Sequence, residues 1–82
     1  MTPEEIRSKV LDILGAVVPE LEPGTLRSDR AIRDELDVDS MDLLNFVIGL
    51  SKAFKVDIPE ADYRRIATVD QLVGYLAEKV HG

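Results

Sequence analysis

Eighty-two residues, no cysteine, and ten basic against sixteen acidic side chains give a formal net charge of −6. A chain of this length holds one small core, without a disulfide or thiolate metal site to brace it and without the clustered basic face that nucleic-acid binding needs. No apolar run approaches the roughly 18 residues of a membrane span and the N-terminus has no signal-peptide pattern, so the expectation is one cytoplasmic, monomeric domain over residues 1–82 with no bound metal.

The acidic balance fits plain solubility, and equally fits steering toward basic protein surfaces. Thr2-Pro3-Glu4-Glu5 reads as a helix start, with Thr2 as cap, Pro3 in the first helical position and Glu5 closing a capping box. Ile6, Val10, Ile13, Leu14 and Val17 follow at helical spacing, which predicts a helix from about Pro3 to Val17 with Gly15 its weak point and Pro19 its stop. From Pro19 to Val38 the chain has Pro23, Gly24 and only scattered apolar residues, Leu21, Leu26, Ile32 and Leu36. Connections this long are usually functional or tied down by apolar anchors, and Ile32 and Leu36 are the expected anchors here.

A second helix is predicted from Ser40 to about Phe54. Met41, Leu44, Val47, Ile48, Leu50 and Phe54 make a wide apolar face, with Leu43 and Phe46 outside a narrow stripe. A helix apolar over so much of its circumference is central to a bundle or touches a partner or ligand. Val56 and Ile58 then alternate in an extended link, and Pro59 opens a short helix from about Glu60 to Ile66. Ala61, Tyr63 and Ile66 offer that helix little apolar surface, so it is expected to be locally mobile. Thr68-Val69-Asp70-Gln71 is another capping box, from which Leu72, Val73, Leu76 and Val80 carry a last helix to about Lys79. The whole reads as an all-α, four-helix bundle of three longer helices and one short helix, with a long first loop.

The segment Leu36 to Phe46, LDVDSMDLLNF, sets a serine among acids where the irregular connection becomes a helix. Asp39 is a good N-cap, Asp42 stands three residues on where an acid can reach back, and Ser40 is the first helical residue. Its hydroxyl then lies by unpaired amides and the positive end of the helix dipole, where a phosphate ester is tolerated or favoured. A serine in such a place is most often part of a cap, but Asp39 already fills that role. A catalytic serine would need a base, and the sole histidine, His81, is next to the last residue. Asp37-x-Asp39 begins like a calcium loop, yet Asp42 stands where glycine is required and Ile48 where glutamate is. The same acids would serve aspartyl phosphotransfer only at the end of a strand in a larger sheet.

Asp39-Ser40-Met41-Asp42, preceded by Leu36 and followed by an amphipathic helix, resembles the prosthetic-group site of acyl carrier proteins, and the similarity runs from Thr2 to about Val80. The resemblance implies a non-catalytic carrier. Ser40 would receive 4′-phosphopantetheine from coenzyme A through a phosphopantetheinyl transferase, with Asp39 and Met41 as motif neighbours. The arm's thiol would hold acyl groups as thioesters and bring them to acyl-transferring or ketosynthase-type enzymes of fatty acid, polyketide or related biosynthesis. Since the chain has no cysteine, that thiol would be the only one present. Asp37, Asp39, Met41, Asp42, Leu43 and Phe46 are then the expected partner contacts, and Ile32, Phe46, Leu50 and Ile66 the expected lining of an acyl-chain cavity.

Two departures accompany the likeness. Asp37 occupies a position where the family usually has glycine, and Asn45, Ser51, Lys52 and Ala53 replace much of the acid usual on the exposed face of the second helix. These point to a dedicated acyl, polyketide or aminoacyl pathway as readily as to bulk fatty acid synthesis. A small helical interaction module that is never modified explains the charge and the apolar residues equally well, and differs in giving Ser40 no role.

Overall fold

The first helix, α1 (Pro3–Val17), opens on a reciprocal cap. The Thr2 hydroxyl accepts from the Glu5 amide at 3.2 Å and Glu5 Oε1 accepts from the Thr2 amide at 3.2 Å, which satisfies two donors that no helical carbonyl reaches. The bond from the Thr2 amide, followed by that from its hydroxyl, holds the Glu5 carboxyl below its ordinary pKa. Ile6, Val10 and Leu14 recur every four residues and are fully buried or nearly so. The helix ends just before Pro19, with the Val18 amide donating to the Leu14 carbonyl at 2.8 Å. The computed structural model describes residues 2–19, 21–22, 27, 29–35 and 38–81, apart from the side chains of Glu35 and His81. The expectations placed on Pro23, Gly24, Leu26, Leu36, Asp37 and the His81 side chain lie outside the described residues.

A single helical turn, α2 (Ile32–Glu35), lies inside the long connection. Ile32 is buried and anchors it, as expected. Backbone bonds fix it further: the Ile32 amide donates to the Ala67 carbonyl at 2.8 Å, and Ala31 pairs with Thr68 in an isolated antiparallel bridge. This part of the loop is thus fastened to the start of the last helix.

The third helix, α3 (Ser40–Phe54), has the bounds its sequence predicts, but its buried face is different. Phe46, Val47, Leu50 and Phe54 enter the core and Leu43 packs against it, whereas Met41, Leu44 and Ile48 are 69%, 47% and 43% exposed. At about 100° per residue, Leu43, Phe46, Val47, Leu50 and Phe54 fall on one arc and Met41, Leu44 and Ile48 on another. The two arcs together produce the near-continuous apolar pattern. The helix stops at Lys55, whose φ of 55° and ψ of 44° put it in the left-handed region.

Glu60–Ile66 forms a helical segment of 3-10 type within its predicted bounds. It is fastened more firmly than its sparse apolar content suggests. Ile66 is buried and Tyr63 packs against the core, while the Tyr75 hydroxyl donates to Asp62 Oδ2 at 2.6 Å. Arg65 pairs with Glu78 at 3.1 Å and lies 5.3 Å from the centre of the Tyr75 ring.

The last helix, α4 (Val69–His81), begins at the predicted box, with Thr68 Oγ1 accepting from the Gln71 amide at 3.0 Å and Gln71 Oε1 from the Thr68 amide at 3.2 Å. Val69, Leu72, Val73, Tyr75 and Leu76 are buried, whereas Val80 is exposed and does not carry the core face as the spacing suggests. Helix α1 packs on both α3 and α4, and α4 on the 3-10 segment, so the buried side chains join in one cluster. Arg7 of α1 meets Asp70 of α4 at 2.7 Å; both side chains are well solvated, which limits the pair to under about 1 kcal/mol. The architecture is the all-α bundle of three longer helices and one short segment, with α2 as an added turn in its long loop.

Candidate functional site

The first turn of α3 builds the serine site. Asp39 is extended, with φ −92° and ψ −177°, and its Oδ1 accepts from the Asp42 amide at 2.9 Å. Its carbonyl accepts from the Leu43 amide at 3.0 Å, so Asp39 is the N-cap in both backbone and side chain. The reciprocal bond from the Asp39 amide to the Asp42 carboxylate is not formed among the described residues. Because Asp39 does the capping, the Ser40 hydroxyl makes no hydrogen bond among the described residues, and its side chain is exposed. A free hydroxyl at the positive end of a fifteen-residue helix can accept a phosphoryl group without losing any bond of the fold.

Around Ser40 lie two different surfaces. The exposed arc carries Met41, Leu44 and Ile48 at i, i+3 and i+7, the spacing with which an amphipathic helix enters a partner's groove. Its neighbours Asn45 and Lys52 are exposed and bring one positive charge, so the acid at this end is confined to the cap Asp39 and to Asp42 in the first turn. Phe46, expected as a partner contact, is only 2% exposed. It stands six positions after Ser40, about 600° of rotation and therefore on the inward side of the helix, where no partner reaches it. Leu43 is half-buried against the core, and Asp37 lies outside the described residues.

The second surface is a cavity of about 300 Å³ between α2, α3 and the 3-10 segment. Ile32, Leu43 and Ile66, with Ala31 and Ala67, form its apolar wall, and Arg33, Tyr63 and Arg64 complete the lining. Leu43 is one turn beyond Ser40 on the same side of α3, a rise of about 4.5 Å. Of the four residues expected to line an acyl-chain cavity, Ile32 and Ile66 border this one, whereas Phe46 and Leu50 are packed into the core and do not. Their rings and methyls already fill the interior that a chain would enter. Another, more open depression, bordered by Arg65, Gln71, Tyr75 and Glu78, has walls already joined by the Arg65–Glu78 pair.

Sequence reasoning misses four residues that shape this region: Leu43, expected as a partner contact, also walls the cavity, and Arg33, Tyr63 and Arg64 have no site role in the sequence pattern. The signal available was the run Tyr63-Arg64-Arg65, cationic in an otherwise acidic chain. Among the described residues, no group of three or more His, Cys, Asp or Glu is placed to hold a metal, and no helix is long and apolar enough to cross a membrane.

Comparison with known proteins bears on this geometry. A family model described as the phosphopantetheine attachment site matches residues 4–76. An acyl carrier protein of Chlorobium luteolum is 33% identical over 79 residues, covering 96% of this chain and 100% of that protein. One of Prochlorococcus marinus is 34% identical over 79 residues, 96% of this chain and 98% of that protein. One of Rubrobacter xylanophilus is 33% identical over 82 residues, 95% of each.

Proposed function

The chain belongs to the acyl carrier protein family, and from that premise we propose that Ser40 is the residue that bears its 4′-phosphopantetheine. The protein is an acyl carrier and not an enzyme, and its cofactor is the phosphopantetheine for which the family model is described. The observation that carries the assignment of Ser40 is the division of labour at the start of α3: Asp39 holds the cap, and the serine beside it is exposed with its hydroxyl unengaged. When attached, the group supplies a terminal thiol that holds acyl groups as thioesters.

The chain's own residues then do three things. Ser40 fixes the point of attachment on a rigid helix end, so that cargo meets each enzyme at effective concentrations on the order of mM for a short tether. Asp39 and Asp42 supply the local negative charge that draws basic surfaces. Met41, Leu44 and Ile48 supply the apolar contact, with Leu43 at its edge. Ile32, Leu43 and Ile66 offer the apolar wall along which a bound chain is kept from water.

Carriers of this family work with biosynthetic enzymes; the partners proposed here are a phosphopantetheinyl transferase and acyl-transferring or ketosynthase-type enzymes, met in the cytoplasm by a monomer whose single carrier domain spans the chain. The mixed charge of the exposed α3 arc supports a dedicated acyl pathway over one built on a strongly acidic helix. Protein isolated from its host tests the reading. Hydroxylamine should release an acyl group from wild type and none from Ser40→Ala. Wild type that bears the arm yet never yields an acyl group, under conditions where its pathway runs, would overturn the carrier assignment.

A further inference from the structure

We infer that the cavity selects a short acyl cargo ending in a carboxylate, held by Arg33 and Arg64. The inference rests on Ser40 being the attachment point. The two arginines come from different elements that border the same cavity. Their spacing is set by backbone, because the Ile32 amide bonds the Ala67 carbonyl and Ala31 bridges Thr68 across the join. Arg7, Arg27 and Arg65 each have a carboxylate partner, whereas Arg30, Arg33 and Arg64 have none among the described residues, and of these three only Arg33 and Arg64 border the cavity.

Solvated arginine heads with stems laid on apolar surface account for one such residue. They do not account for two at one cavity with a phenol, Tyr63, beside them. Guanidinium groups only donate, and their fork matches a carboxylate. Both arginines are exposed at the rim of the cavity, with the apolar wall beside them. The volume, about 300 Å³, is at the small end of ligand pockets and suits a chain of a few carbons. A cargo of matching chemistry has its thioester toward Ser40, its methylenes along Ile32, Leu43 and Ile66, and its anion at the arginines.

The test loads the protein from coenzyme A, pentanoyl-coenzyme A or glutaryl-coenzyme A with a phosphopantetheinyl transferase, and checks each product by intact mass. Proton–nitrogen NMR spectra of the three forms are then compared. The glutaryl form should shift the Arg33 and Arg64 side-chain signals and the Ala31 and Ala67 amides, and the pentanoyl form should leave the arginine signals where they are. The combined substitution Arg33→Gln and Arg64→Gln should erase the difference. Equal shifts with both cargoes, or none with either, overturn the inference and leave the carrier reading intact. Arginine shifts already present with the bare arm assign the anion to the arm's phosphate and overturn it as well. No mass gain with transferases of two carrier classes refutes the attachment reading, and this inference with it.

Discussion

Replacing Tyr75 by phenylalanine removes one oxygen from the tie that holds the 3-10 segment, and with it part of the cavity wall, against α4. The hydroxyl donates to Asp62 Oδ2 at 2.6 Å from a side chain only 3% exposed. A hydrogen bond to a charged acceptor contributes about 1.5–3 kcal/mol net. Asp62 is half-buried, so water takes the vacated position on its carboxylate and the expected loss is at the lower end, about 1–2 kcal/mol. For a domain of this size that lowers the melting temperature by roughly 5–12 °C. The ring stays, with Arg65 at 5.3 Å and Lys79 at 5.4 Å from its centre, so the substitution isolates the hydroxyl. Urea unfolding followed by circular dichroism measures it, and the slope with urea should be unchanged. Burial, reinforced by the bond to Asp62, raises the Tyr75 pKa to about 12. The folded state thus keeps a proton that the unfolded phenol releases near pH 10. The stabilisation is complete below about pH 10 and is lost as the pH rises toward about 12, so the gap between wild type and Tyr75→Phe should close over that window. A variant as stable as wild type at pH 7, or a gap that widens above pH 10, would refute the reasoning.

Leu44→Ser should leave the melting temperature nearly unchanged, because the side chain is 47% exposed, yet weaken binding to a partner enzyme; Phe46→Ala should cost about 3 kcal/mol or more, since the ring is buried, and chemical denaturation separates the two. Gly74→Ala should stabilise by about 0.5–1 kcal/mol, as an added methyl meets nothing within 4 Å, whereas Gly49→Ala should destabilise because its methyl would lie 2.9 Å from Ile13 Cγ2. Lys55→Gly should raise stability by roughly 1 kcal/mol by relieving the left-handed backbone at the end of α3, read as a higher melting temperature. Asp39→Ala should cost about 1 kcal/mol through loss of the cap, measurable in the same denaturation series.

Helix ends were the most legible part of the fold, since they are set by neighbours within four residues. Thr2 with Glu5, Thr68 with Gln71, and Asp39 before Ser40 each appear in the sequence as they do in space. The buried side of α3 was not legible. Its apolar residues cover two arcs, and periodicity cannot say which one the core takes; packing on α1 decides for Phe46 and Leu50 and leaves Met41, Leu44 and Ile48 outside. The Tyr75–Asp62 bond joins residues thirteen apart on two elements, which no local pattern encodes. The cavity depends similarly on α2 meeting Ala67, so Ile32 and Ile66 could be guessed as apolar anchors while Arg33 and Arg64 could not be placed beside them. The end of α3 is legible from the break in apolar spacing after Phe54, whereas the left-handed conformation of Lys55 is not, because that position usually takes glycine or asparagine.

The central claim is attachment at Ser40. Intact masses of wild type and Ser40→Ala, each shown to be folded by circular dichroism, are taken after incubation with coenzyme A, Mg²⁺ and the host's own phosphopantetheinyl transferase. The account predicts a gain of one phosphopantetheinyl group by wild type and none by Ser40→Ala. A gain by both proteins would contradict the assignment to Ser40, and a gain by neither would contradict modification at this helix end altogether.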